Sequence, residues 1–433
     1  MPSHAPAPTP PYTLFAVCAP GLEPFTAQEL GLLVSPSPVE PFQRERGPGG
    51  EGETGGLEFH GSLREMYLAN LHLRTASRVL VRLGEFYAAA FSELRKKASR
   101  LAWENFLTPG QSVALRVTCH KSKLYHSDAV AERIAGAIED RLGRLVAREK
   151  ARGDDEPPAP LPQLIVARLV RDKCTLSVDS SGALLHQRGY RLATAKAPLR
   201  ETLAAGMLLA SGWDPAAPLL DPFCGSGTIP IEAALMARDI PPGLHRRFAF
   251  MDWPTFDERI WRSLLAEASS RSTAWGRPTP NAPSRTAFRP VPSGRLTLLA
   301  SDRDEGAIEA SRLNAERAGV ADSIEFSRRA LSAIEPPSFD PASRSTPLGQ
   351  DRPIPGWVVT NPPYGVRVGG RQDLRNLYAQ FGKVLKAKCP GWRVAMLCNS
   401  AQLQGNTGLD FDEGIPLVNG GLRVRLVKAK VPE

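Results

Sequence analysis

The nine residues Trp357-Val-Val-Thr-Asn361-Pro362-Pro363-Tyr364-Gly365 place a short β-favouring run directly before an Asn-Pro-Pro-Tyr turn. A buried strand ending this way projects an amide, a rigid carbonyl and an aromatic ring from its carboxyl edge, the edge where open α/β sheets bind ligands. Two prolines fix two φ angles and remove two N–H donors, so the turn offers acceptors at a defined spacing beside an aromatic plane. Such a surface suits a flat, amine-bearing group. An exposed strand-to-helix turn is the plain alternative.

Upstream, Pro218-Leu-Leu-Asp221-Pro222-Phe223-Cys224-Gly225-Ser226-Gly227-Thr228-Ile229 predicts a second buried strand. It ends in a carboxylate and passes through Gly-x-Gly, which lets backbone approach a ligand, before a helix over 229–237. Glycine-rich turns also cradle phosphates. Here neither a third glycine at dinucleotide spacing nor a Gly-Lys-Ser/Thr ending is present, which weakens nicotinamide and nucleoside-triphosphate readings. Leu296-Thr-Leu-Leu-Ala-Ser-Asp302-Arg303-Asp304 supplies a third strand, again ending in acid, followed by a helix over 305–318 stopped by Gly319. An acid at that position accepts ribose hydroxyls, although either strand-end acid read singly could be a helix cap.

Before these lies alternating strand and helix pattern. Strands are predicted at 12–18, 56–60, 78–83 and 112–119, with a hairpin 163–171/173–179 around Asp172; helices are predicted at 21–33, 62–73, 91–103 and 127–148. His120-Lys121-Ser122-Lys123-Leu124-Tyr125 offers two phosphate-gripping lysines beside a stacking ring, or is a basic surface turn. Arg188, Tyr190 and Arg191 in His-Gln-Arg-Gly-Tyr-Arg191 either meet RNA or form an interdomain hinge. Pro198 is placed as the first residue of a helix toward Trp213. Beyond the Asn-Pro-Pro-Tyr turn come a helix over 373–388, a strand over 392–398 and a terminal hairpin turning at Asn419-Gly420.

The 433 residues carry 54 Lys plus Arg against 45 Asp plus Glu, a net charge of +9 that favours a polyanionic partner. Residues 91–150 alone hold 12 basic and 7 acidic side chains. Six scattered cysteines without Cys-x-x-Cys or a histidine cluster argue against a metal site and for a reducing compartment. The N-terminus lacks the basic start and apolar run of a signal peptide, and no apolar segment approaches the ~20 residues of a membrane span. A cytoplasmic protein with no membrane association is the expectation. No obligate protein partner is inferable.

Asp-Pro-Phe-Cys-Gly-Ser-Gly-Thr, Ser-Asp-Arg-Asp and Asn-Pro-Pro-Tyr-Gly, in that order, resemble a class I methyltransferase dependent on S-adenosyl-L-methionine. Arg-Gly-Tyr-Arg, Ala-Pro-Leu-Arg-Glu-Thr-Leu-Ala-Ala and the stretch from Pro242 to Trp261 resemble more narrowly the RlmL/YcbY-like family of bacterial ribosomal RNA guanine-N2 methyltransferases. Residues 60–185 resemble a THUMP domain, an RNA-binding module, with Lys-Ser-Lys-Leu as the best local match. The implied fold is α/β, a Rossmann-like methyltransferase domain with a mostly parallel sheet and terminal antiparallel hairpin. An α+β ferredoxin-like and THUMP region precedes it. Boundaries are expected at 1–11 for a disordered N-terminus, 12–90 for the ferredoxin-like domain, 91–185 for THUMP and 186–433 for the methyltransferase.

The resemblance implies catalysis by Asn361, Pro362 and Tyr364: the Asn oxygen and Pro carbonyl hold an exocyclic NH2 while the aromatic stacks on its base. Cofactor binding falls to Asp221, Pro222, Cys224, Gly225, Ser226, Gly227, Thr228, Asp302 and Arg303. RNA binding falls to Lys121, Lys123, Arg188 and Arg191. The activity implied is methyl transfer to guanine N2 of 23S ribosomal RNA. A transfer RNA guanine-N2 or adenine-N6 methyltransferase, or a catalytically silent RNA-binding or assembly factor, stands as the alternative. Two departures are visible: Ala330 occupies the position after the third strand where the family places an acid near adenine, and a second methyltransferase domain found behind this one in some relatives is absent. Residues 269–293 and 336–355 read as inserted loops.

Overall fold

The computed structural model describes residues 11–34, 40–41, 55–143, 148–149, 162–191, 199–273, 296–337, 356–364 and 371–433. Most of both inserted loops, the first ten residues and Pro198 lie outside them. Strand β1 (Tyr12–Cys18) leads through helix α1 (Glu23–Leu33) to β2 (Glu40–Pro41), β3 (Gly56–Gly61), α2 (Leu63–His72) and β4 (Ala76–Tyr87). Then come α3 (Phe91–Ala98), β5 (Val113–His120), α4 (Ser127–Leu142), β6 (Arg148–Glu149), β7 (Gln163–Val170) and β8 (Lys173–Asp179). The α2 start is a capping box: Ser62 accepts from Arg64 N at 3.1 Å while its own N–H donates to Glu65 at 2.8 Å.

Two helices stop short of their predicted ends. α3 breaks because Trp103 turns inward, fully buried, with its indole N–H on the Ala98 carbonyl at 2.8 Å. α4 ends at Gly143, whose left-handed φ of 69° is a C-terminal cap that ends the helix before Arg148.

All eight strands form one sheet in the order β2-β3-β1-β4-β8-β7-β5-β6. The position expected as a domain boundary, 90/91, therefore interrupts no sheet. β4 pairs antiparallel with β8 from Leu80↔Asp179 to Tyr87↔Lys173. The β7–β8 turn sits on Arg171 (φ 49°) and Asp172 (φ 64°), the paired left-handed residues that a two-residue hairpin requires.

The second module contains α5 (Glu201–Ser211), β9 (Leu219–Asp221), α6 (Thr228–Ala237), α7 (Glu258–Thr273), β10 (Leu298–Asp302) and α8 (Glu305–Arg317). It continues through β11 (Glu325–Arg328), β12 (Trp357–Thr360), α9 (Arg371–Lys388), β13 (Arg393–Cys398), α10 (Ala401–Asn406), β14 (Ile415–Asn419) and β15 (Leu422–Lys430). α7 extends through residues 269–273, which the sequence assigns to a loop. The sheet order is β11-β10-β9-β12-β13-β15-β14, parallel except for β15 against its neighbours. Strand order reverses at β9/β12, and that reversal opens a crevice at the carboxyl ends of those two strands. The terminal turn is Gly420-Gly421 (φ 55° and 80°), one residue later than expected, because Asn419 still pairs with Leu422.

The modules interlock. Phe248, Phe250, Trp253 and Trp261, beyond the expected boundary at 186, belong to the core of the first module. Phe250 stacks on Tyr67 at 4.4 Å, and Trp253 meets Phe106 edge-on at 4.9 Å. Conversely, Leu22 of the first module is buried in the core of the second. Each buried aromatic contributes about 1.5–3 kcal/mol, so separating the modules would expose a large apolar area.

Candidate active site

Asp221, at the end of β9, is almost fully buried, and its Oδ1 accepts from the Thr360 hydroxyl at 2.6 Å and the Phe223 N–H at 3.2 Å. Burial pushes its carboxyl up to about 7, with Thr360 and Phe223 opposing and Asp302 reinforcing the shift. Thr360 immediately precedes Asn361, so this one bond ties the glycine loop to the Asn-Pro-Pro-Tyr turn across neighbouring strands.

The loop is held from three directions. Cys224 N–H donates to the Ser301 carbonyl at 3.1 Å, and Gly225 N–H donates to Asp302 Oδ2 at 3.1 Å. From α8, Ser311 donates to the Gly225 carbonyl at 2.6 Å and Asn314 donates to the Ser226 carbonyl at 3.1 Å. Gly225 (φ 53°) and Gly227 (φ 81°) both occupy left-handed conformations. A Cβ on Gly225 would meet nothing within 4 Å and would project into open space, whereas one on Gly227 would come within 3.1 Å of Ser311. Gly225 thus leaves a cradle and Gly227 permits close packing. Pro222 is buried, and burial drives the Cys224 thiol well above its ordinary range.

Asp302 is not a helix cap. Its Oδ1 accepts from Asp304 N–H at 3.0 Å, while Asp304 caps α8 through Gly306 and Ala307. Two lone pairs of the Asp302 carboxylate are used by backbone N–H groups of Gly225 and Asp304, which orients the group and leaves further acceptor capacity. Arg303 is exposed in the same loop, its carbonyl accepting from Arg328. Ala330 follows β11 on the surface, and Arg329 N–H donates to the Asp302 carbonyl at 2.9 Å.

At the turn, Pro362 is buried, and Asn361 Oδ1 is a sequestered acceptor with no hydrogen-bond partner among the described residues. An unpaired buried carbonyl costs about 1–3 kcal/mol, a cost that a bound N–H would remove. The Tyr364 hydroxyl takes a hydrogen bond from Asn419 Nδ2 at 2.6 Å, which fixes the ring from the terminal hairpin; burial raises its phenol pKa.

The expected RNA residues divide. Lys121 (φ 47°) and Lys123 are exposed on the edge of the first sheet. Their turn is stapled to the β7–β8 hairpin by Lys123 N–H to Asp172 at 2.6 Å and Asp172 N–H to Ser122 at 3.0 Å. Tyr125 is 69% exposed beside them, and Tyr87, not anticipated, is 64% exposed at the end of β4 on that same edge.

The expectation that Arg188 and Arg191 meet RNA is corrected. The Arg188 side chain is 1% exposed, ion-paired with Glu232 and bonded to the Arg74 carbonyl at 2.7 Å. The Tyr190 hydroxyl donates to the same Glu232 at 2.9 Å, and Arg74 reaches the Ile240 carbonyl at 2.7 Å. Arg191, 11% exposed, bonds the Leu199 carbonyl at 2.7 Å and Thr228 Oγ1 at 2.8 Å and pairs with Glu201. Thr228, expected at the cofactor, thereby becomes the link from this network to the start of α6. The polar residues missed by sequence reasoning are Glu232, Ser311, Asn314, Thr360 and Asn419. Glu232 did leave a signal, as the single acid in the otherwise apolar Thr-Ile-Pro-Ile-Glu-Ala-Ala-Leu-Met-Ala.

A family model described as an RMKL-like methyltransferase domain matches residues 188–428, an RlmL ferredoxin-like domain model matches 47–80, and a THUMP domain model matches 88–179. "Ribosomal RNA large subunit methyltransferase K/L" of Allochromatium vinosum is 37% identical, over 89% of this chain and 49% of that protein. A Synechocystis sp. protein named provisionally as an RNA methyltransferase is 33% identical over 98% of this chain and 97% of its own. The crystal structure of SMU.472 with SAH, itself provisionally named a methyltransferase, is 27% identical with a TM-score of 0.75, covering 98% of both chains. The chain belongs to the RMKL-like methyltransferase family, preceded by its ferredoxin-like and THUMP modules. It spans about half the length of the K/L relatives it matches.

Proposed function

We propose that this chain transfers a methyl group from S-adenosyl-L-methionine to an exocyclic base amine of RNA, with guanine N2 of 23S ribosomal RNA as the first candidate. The observation that carries the reading is the unsatisfied Asn361 Oδ1, set across the Thr360–Asp221 bond from the glycine cradle. The residues present fit the cofactor. Gly225 leaves room for close approach, Asp302 keeps acceptor capacity suited to ribose hydroxyls, and Ser311 and Asn314 fix the loop between them. Bound there, the cofactor supplies an electrophilic methyl on a sulfonium.

Asn361 Oδ1 and the Pro362 carbonyl accept the two hydrogens of the amine, which pulls its nitrogen toward tetrahedral geometry and frees the lone pair from the ring. Positive charge developing on that nitrogen strengthens both bonds, so they are worth most in the transition state. Tyr364, held by Asn419, stacks on the base, and the base reaches this depth only if unpaired or extruded from its helix. The basic edge at Lys121 and Lys123 supplies phosphate contacts. Among the described residues no helix is long and apolar enough to cross a membrane, and we place the protein in the cytoplasm with its RNA.

Tritium transfer from labelled cofactor to unmodified ribosomal RNA, transfer RNA and DNA, followed by nucleoside mass spectrometry, tests the proposal. N2-methylguanosine in 23S ribosomal RNA is the expected product. Label in N6-methyladenine, or in transfer RNA alone, would overturn the acceptor or the substrate; label in none would overturn the activity.

A further inference from the structure

Beside the acceptor turn lies a cavity of about 1010 Å³ walled by both modules. Asn399, Ser400 and Gln404 line it from the corner between β13 and α10, Arg423 from β15, and Gly21 and Gly55 from the first module. Its position relative to the chemistry follows from register. β12 and β13 are paired through Thr360↔Met396, so Asn399 leaves the sheet at the same edge as Asn361, one strand away. The hairpin that forms one wall is the hairpin whose Asn419 holds Tyr364.

The lining chemistry narrows the occupant. Ligand pockets run about 300–1000 Å³, so this one, at the top of that range, has room for a nucleobase together with its sugar and phosphate. Glu23, Asp412 and Glu413 stand around it, and a run of phosphates would meet those carboxylates. Arg425, also in the wall, is already committed to the Glu413 carbonyl at 2.6 Å and the Gly414 carbonyl at 3.2 Å. Glu23 and Asp412 are likewise engaged, by Gly21 N–H at 2.6 Å and Lys428 N–H at 2.8 Å. That leaves the amides of Asn399 and of Gln404, the latter beside the Cys398 thiol, and the O–H of Ser400, whose oxygen caps α10 by accepting from Leu403 N–H at 3.4 Å. These groups can pair with the donors and acceptors of a base edge. An RNA base delivered to Asn361 must be unstacked, and its chain neighbours are then drawn toward the same sheet edge, where this cavity opens one strand away.

We propose that this cavity is a specificity subsite for an unstacked nucleobase flanking the target, read by Asn399, Ser400 and Gln404, with Arg423 facing its phosphate. The proposal rests on the reading of RNA as substrate. Because first-module residues wall the cavity, the subsite exists only where the two modules are joined.

Ala401 lines the cavity and is exposed at the first position of α10, so A401W fills the space without disturbing the core, and Q404A removes one amide without adding bulk. Steady-state methylation of a 23S ribosomal RNA fragment by the 433-residue wild-type chain, A401W and Q404A is measured alongside an abasic scan of the fragment's positions flanking the target. The wild type should lose about tenfold in kcat/KM at one or two flanking abasic positions, the order expected for one lost amide–base pair. Each variant should lose about as much on intact RNA, mainly through KM, and little more on those abasic substrates. Calorimetric affinity for S-adenosylhomocysteine should stay unchanged. Wild-type kcat/KM in both variants, or a flat abasic scan, overturns the subsite while leaving the activity in place. Absence of transfer by the wild type to any RNA overturns the activity and the subsite with it.

Discussion

Asp221 is a carboxyl whose native pKa lies near 7 because it is buried, against an ordinary value of 3.8. The native state therefore keeps a proton between about pH 4 and 7 that the unfolded chain releases, so this group's contribution makes stability fall as pH rises through that window and level off above it. Glu201, pushed up to about 7 by burial, acts in the same direction. His186, driven down to about 3 first by burial, acts oppositely below pH 6.5. Urea unfolding of wild type and Asp221→Asn across pH 4–8 isolates the first contribution, and the predicted difference shrinks toward acid; a pH-independent difference would contradict the buried-acid account. Gly225 gives a second test. Valine there adopts a left-handed φ and fills the cradle, so S-adenosylhomocysteine affinity should fall at least about tenfold by calorimetry while RNA affinity survives. Equal cofactor affinity would move the cofactor elsewhere.

Strands ending in Asp221, Asp302 and, just before Asn361, Thr360 were legible because each is a short apolar run closed by polar or conformationally special residues, and those patterns are local. The side chains that brace them were not. Ser311 and Asn314 reach the glycine loop only through the rotational phase of α8, and the Arg188–Glu232 pair spans 44 positions of sequence. The arginines around Gly189 read as either RNA contacts or an interdomain hinge. The burial of Arg188 against Arg74 and Glu232 fits the second alternative, and the choice was open because the partner that lets arginine lose water lay far off in sequence. The basic turn before α4 remains exposed, as the sequence suggested. Replacing Lys121 and Lys123 by Glu should weaken RNA binding and lower its log–log salt slope by about one unit per lost phosphate contact. An unchanged slope in filter binding would return the turn to ordinary surface.

Phe248, Phe250, Trp253 and Trp261 on one side and Leu22 on the other interleave the cores of the two modules. The Arg188–Glu232 pair inside that junction sits where one partner cannot be removed without stranding a buried charge. Glu232→Ala should cost about 3–5 kcal/mol in chemical denaturation, and Glu232→Gln, which keeps an acceptor for Tyr190, should cost less. Equal, small losses would show the pair to be solvated. If Asn361 acts in the transition state, single-turnover methyl transfer to unmodified 23S ribosomal RNA by wild type, Asn361→Ala and Asn361→Asp measures its role directly. The predicted result is a fall of about 100-fold for Ala with cofactor and RNA affinities nearly constant, and a smaller fall for Asp, which keeps an acceptor and stabilises the developing positive charge. Wild-type rates in both variants would contradict the account and reduce the Asn-Pro-Pro-Tyr turn to a connection between strand and helix.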